Sequence, residues 1–124
     1  MATERKLQLL AKKFLGALHQ RNAVVDIFLL PNADIKKLKA RFIKKKTEPN
    51  VLAFPEPRAF PHPETKKRYL GEIYLNRDIL RKSPHRTAPL LLHGILHLLR
   101  HNHTKKSDAI KMEALEEKLL RAIS

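Results

Sequence analysis

Leu7, Leu10, Ala11, Phe14 and Leu18 recur at three- and four-residue spacing, which predicts an amphipathic helix capped by Thr3. Gln20, Arg21 and Asn22 break that pattern. Ala23 to Leu30 is apolar and rich in β-branched residues, interrupted only by Asp26 and closed by Pro31, so a strand is expected there. Asn32 is placed to cap a second helix, with Ile35, Leu38 and Phe42 on one side and lysines on the other. Asn50 to Phe54 predicts a short strand. The stretch carrying Pro55, Pro57, Pro61 and Pro63 is expected to be irregular throughout, because proline supplies no N–H. Tyr69 to Leu75 returns to strand character through Leu70, Ile73 and Leu75. Leu90 to Leu99, preceded by Pro84 and Pro89, is a very apolar segment with helical flanks. Ser107 is the expected cap of a last helix whose buried stripe is Met112, Leu115, Leu119 and Ile123.

These elements predict a single small α+β domain over residues 1–124, an approximately three-stranded sheet packed against helices. No internal repeat, low-complexity tail or linker divides it. No apolar run approaches bilayer length and no signal-type segment follows Met1, so a soluble, cytoplasmic protein without membrane association is expected. The chain has no cysteine, which fits a reducing compartment and excludes disulfides, thiolate zinc sites and cysteine nucleophiles.

Charge changes the picture. Lysine and arginine number 26 against 12 acids, a formal net charge of +14. Lys36, Lys37, Lys39, Arg41, Lys44, Lys45 and Lys46 form a block with no acid between Asp34 and Glu48, and Arg58 belongs to a second group with Lys66, Lys67 and Arg68. Acids gather instead at Asp108, Glu113, Glu116 and Glu117. A solvated helix face accounts for the lysines as far as folding goes. A polyanionic partner accounts for their asymmetry, because each neutralised phosphate releases counterions. RNA is the expected partner, held through Lys36, Lys37, Lys39, Lys44, Lys45, Lys46 and Arg58. Phe42 and Phe60 are candidates for base stacking, with core packing the competing reading.

Four histidines, His93, His97, His101 and His103, crowd the end of the apolar helix. Residues four apart share a helix face, so His93 and His97 can reach one ion at about 2.0–2.1 Å. Such a pair alone is weak, since a histidine on an apolar helix is often a packed residue. The third histidine completes H-x3-H-x5-H, the ligand spacing of metzincin-type zinc sites. An unbroken helix would turn His103 about 120° away from His97, so the chain must leave the helix before it, and Asn102 is the expected terminator. Gly94 stands where zinc peptidases of the H-E-x-x-H type carry their general base. Peptidase activity is thereby disfavoured. A glycine inside a helix costs about 1 kcal/mol relative to alanine, which points to close approach of a strand or of substrate at that position.

His93-Gly94-Ile95-Leu96-His97-Leu98 with His103 resembles the H-G-x-L-H-L-x-G-Y-D-H signature of the YbeY family. Asn50-Val51-Leu52-Ala53-Phe54-Pro55 is similar to that family's D/N-V-L-S-F-P strand, Gly71-Glu72-Ile73 to its G-D-I strand, and Met112-Glu113 with Glu116 to its M-E-x-x-E helix. The four motifs occur in the family's order. The resemblance implies a zincin-like metal site on a helix and a single-strand-specific, metal-dependent endoribonuclease of ribosomal RNA maturation. Ribosomal RNA and the small ribosomal subunit would then be partners. It also implies four strands, of which three are expected here, without the one before the first helix. Arg100, His101 and Asn102 replace the family's Gly, Tyr and Asp, and Ala53 its serine. The family's catalytic arginine position falls on Ile43, which leaves Arg41, Lys44 or Lys45 to take that role.

Both lines lead to one Zn2+ ion held by His93, His97 and His103. Three neutral imidazoles leave an open position for water, which then titrates near pH 7 without a side-chain base. Glu72 is either an acid bordering this site or a solvent-facing strand residue. Two other functions remain: a non-catalytic ribosome- or RNA-binding factor with a structural zinc, and a zinc peptidase using a distant acid.

Overall fold

The hydroxyl of Thr3 accepts from the Lys6 amide at 3.2 Å and opens α1 (Glu4–Ala17), as expected. This computed structural model describes residues 3–42, 50–56, 68–102 and 106–123. Leu7, Ala11, Phe14, Leu15 and Leu18 are the buried side of α1. The helix closes through a left-handed residue, His19 at φ 59°, with the His19 amide donating to Gly16 and the Gln20 amide to Leu15. That is the paired-bond ending common at helix C-termini, here with histidine where glycine is usual. Strand β1 (Ala23–Leu30) follows with the predicted limits.

Helix α2 (Asn32–Phe42) corrects one expectation. Its first accepting carbonyl is that of Pro31, bonded by Asp34 and Ile35, so Asn32 is the first helical residue and not the cap. The Asn32 side chain serves elsewhere. Buried Asn76 donates to the Asn32 side chain at 2.8 Å and to that of Asn50 at 3.3 Å, and accepts from the Asp78 and Ile79 amides. One fully used amide thus ties the start of α2, the entry to β2 (Val51–Pro55), the end of β3 (Arg68–Asn76) and the start of α3 (Arg77–Lys82).

The sheet has the order β1-β3-β2, with β1 parallel and β2 antiparallel to β3. This is the predicted three-stranded sheet, and with five helices the architecture is α+β. Pro55 corrects a second expectation: it closes β2 opposite Gly71. β2 is an edge strand, where a missing N–H is tolerated. Gly71, at φ 140°, lies at an irregularity in the β1–β3 register. A Cβ there would stand 2.2 Å from the Phe54 carbonyl, so only glycine lets β2 close on β3.

Pleating separates two faces. Val51, Ile73 and Leu75, with Ile27 beside them, join Leu7, Phe14, Leu18 and the leucines of α4 (Thr87–Asn102) in the main core. Ile35 of α2 and Leu52 of β2 are equally buried but outside that cluster, because α2 covers the opposite face. A one-turn 3-10 helix (Pro84–Arg86) leads into α4, whose Pro89 sits in the first turn. There a missing N–H breaks no helical bond. Helix α3 was not anticipated from the sequence. Helix α5 (Lys106–Ile123) begins one residue before the expected cap Ser107, and Leu115, Leu119 and Ile123 pack on the core as expected. Among the described residues no helix is long and apolar enough to cross a membrane.

Candidate active site on helix α4

Leu90, Leu91, Leu92, Ile95, Leu96, Leu98 and Leu99 bury α4 around most of its circumference. Among the described side chains of α4 the exposed ones are Pro89, His93, His97 and Arg100, which form one strip along the helix. Core packing therefore does not explain histidine at 93 and 97. Their Cβ atoms lie roughly 6 Å apart, as for any i, i+4 pair. Helix α4 contains no Asp or Glu, so the ligand atoms its histidine pair offers are imidazole nitrogens, a set suited to zinc and other transition ions.

Gly94 sets how close this helix comes to the sheet. A Cβ there would meet Ile73 Cγ2 at 3.0 Å and Val51 Cγ2 at 3.3 Å. The close approach expected from the sequence is thus made by strand side chains of β2 and β3. The imidazole strip thus stands on a helix seated directly on the sheet.

Helix α4 ends at Asn102, the expected terminator, and α5 resumes at Lys106. His103 lies outside the described residues, and no group of three His, Cys, Asp or Glu side chains converges among the described ones. The side chain of His101 also lies outside the description. On either side of this junction Arg100 reaches Glu116 of α5 at 2.7 Å. The Glu116 carboxylate is 5% exposed while Arg100 is 66% exposed, and Glu116 Oε1 is buried with no hydrogen-bond partner. Sequence reasoning missed this pair. The available signal was an acid at position 116 between the stripe positions 112 and 119, facing a helix whose last turn carries Arg100.

The candidate RNA-binding residues do not all meet the histidines. Lys36 and Lys37 are exposed on α2, Lys39 is half-buried and Arg41 exposed, all on the sheet face opposite α4. The cause is topological: α2, in the connection from β1 to β2, lies on one face, and α1 with α4 fill the other. Lys44, Lys45, Lys46, Arg58 and Phe60 lie outside the described residues, as does the Phe42 side chain.

Glu72 neighbours Ile73 and therefore projects away from α4, onto the outer face. There Tyr74 donates to Glu72 and Tyr69 to Asp26. The Tyr74 ring stacks on Phe28 at 5.0 Å and meets Phe54 edge-on at 5.6 Å. Burial, then the hydrogen bond and charge of Glu72, pushes the Tyr74 phenol up to about 12. Burial and the bond to Asp26 raise Tyr69 further. Glu72 is therefore a partner of Tyr74 and not an acid of the histidine strip.

Comparison with known proteins bears on this site. A family model described as Endoribonuclease YbeY matches residues 2–124. The Endoribonuclease YbeY of Ehrlichia canis (strain Jake) is 32% identical over 111 residues, covering 83% of this chain and 69% of that protein. That of Chelativorans sp. (strain BNC1) is 31% identical over 110 residues, covering 82% and 67%. That of Nitrobacter hamburgensis is 36% identical over 111 residues, covering 80% and 57%. A match over nearly the whole chain, on a fold that displays two of the three signature histidines together, settles the relationship: the chain belongs to the endoribonuclease YbeY family.

Proposed function

We propose that this protein is a metal-dependent endoribonuclease that cuts single-stranded RNA in ribosomal RNA maturation, with one zinc ion held by His93, His97 and His103. The family relationship supports the endoribonuclease activity. The observation that carries the site is the exposed imidazole pair on adjacent turns of an otherwise buried helix. When bound, zinc supplies a Lewis acid toward a phosphoryl oxygen and an acidified water. The rest falls to the chain. His93 and His97 present nitrogens from a helix packed close on the sheet, where Gly94 leaves no room for a Cβ against Ile73 and Val51. With no carboxylate on α4, nothing on that helix repels an approaching phosphate. Lys36, Lys37, Lys39, Lys44, Lys45, Lys46 and Arg58 neutralise RNA phosphates. Lys44 offsets charge that builds on the phosphate as it is attacked, while Arg41, on the sheet face opposite the histidine strip, joins the grip on RNA instead of the chemistry expected of it.

Alanine at His97 tests this reading. Cleavage of a single-stranded oligoribonucleotide should fall by about two orders of magnitude or more, the scale of losing a principal electrostatic stabiliser. The thermal midpoint of the metal-free protein should stay put, since position 97 is exposed. Zinc retained per chain, read by elemental analysis, should fall in parallel. Full cleavage with zinc lost would sink the catalytic assignment, and collapse of the fold would support a structural ion instead. Hydrolysis of casein in place of RNA would support a peptidase.

A further inference from the structure

Two carboxylates stand side by side on the outer face of the sheet: Asp26 of β1 and Glu72 of β3 are direct partners across the parallel ladder. Like charges so placed oppose folding. Neither forms an ion pair among the described residues, in a chain with 26 lysines and arginines. Each accepts a phenol hydrogen bond instead, Asp26 from Tyr69 and Glu72 from Tyr74 through Oε2. Glu72 Oε1 is left without a hydrogen bond among the described residues. Phe28, Tyr74 and Phe54 form a row of rings across the three strands, each half-buried. Tyr74 is paired with Leu52, which lies buried beneath α2, and Glu72 with Phe54 one row farther out. The patch therefore adjoins α2, where Lys36 and Lys37 are exposed. Tyr74 and Glu72 belong to the central strand, so the patch needs no open sheet edge. A purely structural role would be served as well by glutamine, which accepts the same phenol bond without setting a charge beside Asp26.

We propose, resting on RNA as the substrate, that this face reads an unpaired guanine of the bound strand. The base stacks on the ring row, and its N1–H and N2–H donate to the Glu72 carboxylate. Guanine alone presents two adjacent donors on its Watson–Crick edge. Cytosine and adenine set a donor beside an acceptor, and uracil holds one N–H between two carbonyls, so each aims a lone pair at a carboxylate. The flanking phosphates meet Lys36 and Lys37. A basic protein segment also complements the two acids, but it must approach a chain of net charge +14 past those lysines.

Binding is read in the full-length His97→Ala chain, which should hold RNA without cutting it, so neither zinc nor turnover enters the result. Fluorescein-labelled uridine pentanucleotides with guanosine, inosine, adenosine or uridine at the centre are titrated by anisotropy at physiological salt. Guanosine should bind about fivefold tighter than inosine, which lacks the N2 amino group and so one hydrogen bond. It should bind about tenfold or more tighter than uridine, which cannot make the paired contact. Adding Glu72→Gln should bring guanosine down to inosine, leave the all-uridine strand unchanged and melt no lower. Phe28→Leu should weaken all four strands by a similar factor, since stacking is blind to base identity. Equal affinity for guanosine and inosine, or a preference that survives Glu72→Gln, overturns the proposal and leaves RNA as the substrate. Failure of all four strands to bind overturns that reading as well. An arginine-rich peptide that binds and is lost in Glu72→Gln, with no guanosine preference, overturns the proposal by assigning the face to a protein.

Discussion

Tyr74 lies between Phe28 and Phe54 with its hydroxyl on Glu72, so losing its proton would set a second negative charge against a carboxylate in a half-buried place. Its folded-state pKa is accordingly pushed up from 10.0 to about 12, and that of Tyr69, on Asp26, is raised beyond it. The native state thus holds these protons more tightly than the unfolded chain. The stabilisation is fully present below pH 10 and is lost as pH rises from there through about 12. The chain has two tyrosines and no tryptophan, so ultraviolet phenolate difference spectra report these two groups alone. The native protein should show no phenolate step near pH 10, while the protein in denaturant should titrate at about 10. A native midpoint at the denatured value would dismiss both hydrogen bonds. Asp26 and Glu72 were visible in the sequence as acids within strands. The Tyr69 partner of Asp26 was not, because that pairing depends on the β1–β3 register, which no local pattern carries; Tyr74 and Glu72 stand two apart on one face of β3, a spacing the strand reading did offer.

At the scale of elements, α4 and α5 meet through an ion pair with one partner in water and the other in the core. Arg100→Ala would leave the Glu116 carboxylate buried without its charge partner, with Oε1 already unsatisfied. A loss of about 2 kcal/mol is expected, reduced from fully buried pairs because Arg100 is mostly exposed. Glu116→Leu removes the carboxylate itself and should cost less than Arg100→Ala in urea denaturation midpoints; the reverse order would mean that the pair carries net stability. The elements were largely legible because periodicity is a local property: β1 was placed to the residue, and β2, β3, α4 and α5 to within a few. What failed were the ends and the short pieces. Asn32 and Ser107 have capping side chains, yet each stands inside its helix, since Pro31 supplies the first carbonyl of α2 and α5 starts at Lys106. Helix α3 spans six residues, too few to show a period, and owes its start to Asn76, whose capping role is fixed by contacts far away in sequence. The histidine pair was legible because its spacing matches one helical step. That this face is exposed was not legible, since a packed histidine was the competing reading; burial of the leucines on the rest of α4 decides it.

For the molecule as a whole, the proposed function requires one RNA strand to meet both the histidines and the lysines. The strip of α4 and the cations of α2 lie on opposite faces of the sheet, a separation that charge counting could not reveal. Both helices nevertheless pack against β2, the edge strand. A flexible single strand can pass from α4 around that edge to α2, whereas a stiff duplex cannot follow so sharp a path. The formal charge of +14 then acts over both faces. If about five phosphates are neutralised, the logarithm of affinity for single-stranded RNA should fall with the logarithm of salt at a slope of about −3.5. Replacing Lys36 and Lys37 with glutamine removes two of those contacts and should flatten the slope by about 1.4. Both side chains are exposed, so melting should be unaffected. Filter-binding titrations across a salt series measure the slope directly. An unchanged slope in the double variant would place α2 off the RNA path and confine recognition to the α4 side of the sheet. A flattened slope with cleavage per bound strand unchanged would establish the lysines as grip and the histidine strip as the seat of chemistry.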